Sequence, residues 1–143
     1  MSRLSAEQID GLLGAIRSDD CLQRVVAEVE RLHTVVFHDH ARANWELTRQ
    51  SAEQIVMAEI MCRHQGDPRG IYFALRALED AGRSWDAAIA ELAASIHSYY
   101  TTPLGIVIRR DLFGPGAVFF DPDAYEWLTV AGGPPTPRDG KKP

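Results

Sequence analysis

Apolar residues recur along most of this chain at three- and four-residue spacing. Leu22, Val25, Val26, Val29, Leu32 and Val36 share one face of a helical wheel at about 100° per residue, and Ala43, Leu47, Ala58, Met61 and Cys62 stay roughly in phase with it. Residues with capping chemistry cut the pattern into elements. Ser5 opens a first helix that ends near Arg17, and Ser18-Asp19-Asp20 supplies the next N-cap. Gly66 suits a helix C-terminus, Asp67-Pro68 pairs an N-cap with Pro at the first helical position, and Gly82 closes that helix. Ser84 caps a helix that runs from Trp85 to about Tyr100. Thr102-Pro103 predicts a short helix ending at Gly114, although the β-rich runs IVI and AVFF around Gly114-Pro115-Gly116 also permit a small hairpin within 104–120. Asp121-Pro122 repeats the cap-and-Pro device ahead of AYEWLTV, which reads as a short terminal helix. The expected fold is therefore all-α, a single-domain bundle of five or six helices over 1–130 with an irregular aromatic-rich C-terminal segment. The tail AGGPPTPRDGKKP over 131–143 has the composition of a flexible end.

The pentapeptide SAEQI occurs at Ser5–Ile9 and again at Ser51–Ile55. The residues after the two copies do not otherwise align, which argues against a duplicated unit. A capping box explains the motif more simply: the Ser hydroxyl accepts from the backbone three residues on, and the Gln side chain returns to the Ser N–H. The second copy lies in a run of 51 residues, Ala15 to Gln65, that has neither Gly nor Pro. One unbroken helix of that length would be about twice as long as a domain of this size is wide. The sequence thus predicts a break, either at Phe37 to His40 with Asp39 as the cap or at Arg49 to Ser51 through the capping box.

Charge narrows the choice of function. The chain carries 15 basic and 20 acidic residues, a net charge of -5, without a basic block. Nucleic-acid and anionic-membrane binding depend on clustered Lys and Arg, so both are disfavoured. A helix-turn-helix reading of 66–95 meets the same objection, because its second helix is acidic and Ala-rich. Thirteen of the basic residues are Arg, a bias that points to a GC-rich bacterial genome. Cys21 and Cys62 lack CxxC spacing, and no stretch resembles a leader or a membrane span, which predicts reduced thiols in a cytoplasmic protein.

Candidate chemistry centres on histidine. His33, His40 and Asn44 fall within the apolar face of the second helix, and His97 borders a face of the Trp85 helix from which it could reach them. Polar groups in that position form either a satisfied core network or the wall of a ligand site. Glu30-x-x-His33 matches half of a di-iron motif, but no second pair follows it. Cys62 and His64 add weak metal candidates to Glu30 and His33; their side chains project about 200° apart on a helix, so both could ligate only where that helix ends. No GxSxG, Walker A, GxGxxG or HExxH motif is present. No cofactor is the expectation, with a transition metal as the alternative. Ala87, Ala90 and Ala94 opposite Trp85, Ile89, Leu92 and Ile96 make the Trp85 helix the expected centre of the bundle.

Two functions remain. The first is a small interaction or regulatory protein acting through protein contacts, homodimeric through the long helical region, where Val35, Trp45, Val56 and Ile60 lie outside one apolar stripe and need cover. The second is a small-molecule or metal-binding helical enzyme in which His33, His40, Asn44 and His97 form the site and a His serves as ligand or general base.

Overall fold

The computed structural model describes residues 3–36, 45–114, 118–121 and 126–129. Up to residue 114 they form an all-α bundle of six helices: α1 Ala6–Arg17, α2 Asp20–Val36, α3 Trp45–Arg63, α4 Gly70–Asp80, α5 Trp85–Tyr100 and α6 Pro103–Phe113. None of these helices is long and apolar enough to cross a membrane.

The predicted caps form the helix ends. Ser5 accepts from the Gln8 N–H at 3.1 Å while its own N–H donates to Gln8 Oε1 at 2.8 Å, completing the capping box. Asp19 accepts from the Leu22 N–H at 2.9 Å at the start of α2. Gly66, in the left-handed region with φ 84°, donates to the Ile60 carbonyl at 2.9 Å and closes α3. Asp67 caps a tight turn instead of α4 itself, accepting from the Arg69 N–H, so that helix starts three residues after Asp67. Ser84 and Thr102 accept from the N–H groups of Ala87 and Gly105, and Pro103 occupies the first turn of α6.

Three expectations change. The second SAEQI opens nothing, because α3 begins six residues earlier and Ser51 lies buried inside it. The two helices α2 and α3 pack against one another, which one continuous helix could not do; the alternative break at 37–40 lies outside the described residues, as do His38, His40, Asn44 and the tail over 131–143. The central helix is α3, not α5. Every residue from Ser51 to Ile60 is buried and α3 touches each of the other helices, whereas Ala87, Ala90 and Ala94 of α5 face solvent. Small size alone does not mark the inner face: Ala88 and Ala93 are buried beside Ile89 and Ile96, which turn their side of α5 onto the core, while the other three alanines lie off that side. The helix expected between Thr102-Pro103 and Gly114 forms, as α6, so the alternative hairpin within 104–120 does not. A hairpin does occur further on: β1 Val118–Asp121 pairs antiparallel with β2 Glu126–Thr129, with Phe120 opposite Trp127. The terminal helix expected over AYEWLTV is thus a strand in its second half, where Trp and Thr favour extended backbone and β1 supplies ladder partners.

Leu22, Val25, Val26 and Val29 of α2, Ile55, Val56 and Ile60 of α3, Ile71 and Leu75 of α4, and Ile89 and Ile96 of α5 make one core. Val56 and Ile60 are therefore covered within the chain, and they no longer argue for a dimer through α3. Val35 and Trp45 side chains lie outside the described residues.

Candidate functional site

The histidine expectation resolves into a pair. Parallel packing of α2 on α5, with Arg24 meeting Asp86 near their starts, brings His33 Nδ1 to 2.7 Å from His97 Nε2 near their ends, with the rings edge-on at 85°. Both side chains are buried, at 1% and 9% exposure. At that distance one nitrogen carries the proton and the other accepts it, so two imidazolium rings cannot keep the contact. Burial is the main cause that pushes His97 down to about 4 and His33 well below its ordinary value. The charge of Arg109 adds to both shifts. Arg109 is fully buried, and burial lowers it to about 9, which still leaves it protonated at neutral pH. Sequence reading missed this residue. Its signal was present, because Arg109 follows Ile106 by three and precedes Leu112 by three, in the middle of the apolar face of α6.

The remaining candidates are dispersed. Glu30 points to Arg49 at 2.6 Å rather than sharing a centre with His33. His64 lies 3.6 Å from Glu59, and Cys62 sits near Tyr100 with its thiol pushed up by burial. Among the described residues no three His, Cys, Asp or Glu side chains gather closely enough to hold a metal. The cation of Arg109 beside the two imidazoles opposes a second cation there. On the outer side of α2, Arg24 reaches Asp86 of α5 and Arg31 pairs with Glu28. A polar cavity of about 270 Å³ lined by Arg17, Arg49, Gln50 and Glu53 has its cations already committed: Arg17 binds Glu53 through two bonds at 2.8 and 2.9 Å, and Arg49 binds Glu30.

A second surface has the opposite character. Ile71 and Leu75 turn α4 onto the core, which sends Phe73 about 200° away from both. Phe73 is 71% exposed, a large apolar side chain with no cover. Beside it Tyr72, Arg76, Glu79 and Trp85 line a groove of about 200 Å³. Tyr72 anchors the groove to the bundle, since its hydroxyl donates to the Asp19 carboxylate at 2.6 Å and the residue's phenol is raised well above its usual range by that bond. This surface was readable in principle as an aromatic residue off the apolar stripe of its own helix.

Comparison with protein-family models, with curated proteins and with solved structures gave no match. The site itself must therefore carry the functional reading.

Proposed function

We propose that this chain is a small interaction protein of the bacterial cytosol that works through protein contacts made by the outer face of α4. The observation that carries the reading is Phe73, exposed beside an aromatic-lined groove on a helix whose opposite face is fully engaged in the core. Exposed aromatics next to a concave site are the side chains that dominate protein interfaces, because they bury large area at low entropic cost. Two free cysteines support the cytosolic setting. The catalytic alternative takes second place: among the described residues it rests on His33 and His97, and a buried pair held by its own hydrogen bond offers no proton-transfer face to a substrate.

The test is photo-crosslinking in cells. A photoreactive phenylalanine at position 73 should give protein adducts well above those from the exposed control position Glu7. Equal, background-level adducts at the two positions would remove the reading.

A further inference from the structure

The outer face of α4 has a charge order that fits a specific occupant. Arg69, Phe73, Arg76 and Asp80 are all exposed and follow one another at spacings of four, three and four residues, so they lie within about 60° of one another on the helix. Arg69 stands at its N-terminal end and Arg76 just past its middle, while Glu79 and Asp80 stand at its C-terminal end. That arrangement opposes the helix dipole at both ends. Within a monomer it gains nothing. Against an antiparallel copy the ends are complementary, because Arg69 at the start of each helix then faces Asp80 at the end of the other.

The spacing is also symmetric. Arg69 and Asp80 are equidistant from the point between residues 74 and 75, and so are Phe73 and Arg76. A two-fold axis through that point therefore satisfies every position of the stripe at once, as an isologous contact requires. Two copies of a chain with net charge -5 repel each other over most of their surfaces, whereas the outer side of α4, with Arg69, Arg76, Glu79 and Asp80 all exposed, carries two positive and two negative charges. Arg69 is held by Asp67 at 3.1 Å but remains 79% exposed, and Arg76 forms no ion pair among the described residues.

We infer that a second copy of this chain occupies the α4 face, in an antiparallel two-fold pairing that sets Arg69 against the partner's Asp80 and Phe73 against the partner's Arg76. The inference rests on the interaction reading of that face. Each Phe73 ring then meets the groove that Arg76, Tyr72 and Trp85 line on the other copy, with the guanidinium placed for a cation–π contact. The helix face is short, and the association is correspondingly weak and reversible.

Light scattering and sedimentation of the full chain at about 100 µM, well above a micromolar dissociation constant, should give twice the 15.9 kDa chain mass. Phe73→Ser should weaken self-association by about 30-fold. Arg69→Glu and Asp80→Arg should each abolish the homodimer by placing like charges opposite one another, and an equimolar mixture of the two variants should recover a heterodimer. Because each variant changes an exposed side chain, retained helical circular dichroism distinguishes lost association from lost folding. A monomeric wild-type chain, a dimer indifferent to Phe73→Ser, or folded single variants that fail to pair when mixed would each overturn the inference. A monomer that still forms adducts with another protein from position 73 would refute the self-pairing alone; a lack of adducts at 73 would refute the interaction reading as well.

Discussion

Lowering the pH tests the His33–His97 pair directly. An unfolded histidine titrates near 6.5, whereas burial holds His97 at about 4 in the folded chain. Between these values the unfolded state binds the extra proton and the folded state does not, so unfolding becomes easier as pH falls. The contribution is fully present above pH 6.5 and is lost progressively down to about pH 4. A shift from 6.5 to about 4, at about 1.4 kcal/mol per unit, amounts to about 3 to 4 kcal/mol for His97 alone, of which about 3 is lost by pH 4, where the folded group is half protonated. His33 acts in the same direction, through burial first and then through the neighbouring imidazole and Arg109. Such a loss is a large part of the stability of an ordinary domain.

Carboxylates also titrate as the solution becomes acidic, so the assay needs a reference that lacks only the imidazoles. Urea unfolding followed by circular dichroism at pH 7, 6, 5 and 4 would be run on the wild type and on His33→Gln/His97→Gln, which keeps hydrogen-bonding groups without titrating. The difference in unfolding free energy between the two proteins should move by about 3 kcal/mol against the wild type from pH 7 to pH 4. Two parallel pH curves would show that the imidazoles are hydrated in solution and that the buried pair is wrong.

Three further outcomes follow from packing. Gly105→Ala places a methyl 2.5 Å from the Tyr100 Cα and the Tyr99 carbonyl oxygen, both backbone, so α6 must lift from α5; a cost of about 2 to 3 kcal/mol should lower Tm by about 6 °C or more in a thermal melt. Arg49→Ala should destabilise more than Glu30→Gln, by about 1 kcal/mol in urea titration, because it strands a buried carboxylate while the half-exposed Arg49 can turn to water. Ser5→Ala removes one arm of the capping box and should cost about 1 kcal/mol by the same measurement.

Helix existence was legible because it is written in local chemistry: Ser5, Asp19, Ser84 and Thr102 each satisfy backbone N–H groups within three residues. Ser51 shows the limit of that logic. Its capping box has the same five residues as the first, but Ile55, Val56 and Ile60 bury α3 on every side, and the apolar area gained by continuing the helix exceeds what one cap returns. The His33 and His97 meeting was foreseeable from their faces, whereas Arg109 was not sought because an arginine is rarely placed in a core. Phe73 is not legible in the same way, because which side of α4 meets the core is decided by the neighbours that cover Ile71 and Leu75 and not by capping chemistry.

The division between inside and outside connects these observations. A core of Val, Ile and Ala surfaces is nearly uniform along its helices, and neighbouring helices could exchange one turn for another at small cost in buried area. Directional bonds remove that freedom. Arg17 to Glu53 ties α1 to α3, Arg49 to Glu30 ties α3 to α2, His33 to His97 ties α2 to α5, and the Tyr100 hydroxyl reaches the Ala58 carbonyl at 3.4 Å to tie α5 to α3. A one-turn slip, about 5.4 Å, would break each of these at once. The groups that looked most like catalytic chemistry are thereby committed to fixing register. What the frame presents outward is α4, tied down by Ile71, Leu75 and the Tyr72 to Asp19 bond, with its charged and aromatic stripe held rigidly in solvent. A preorganised surface of that kind loses little entropy when something docks on it, which is why the exposed ring of Phe73, and not the buried imidazoles, is the place to look for what this protein does.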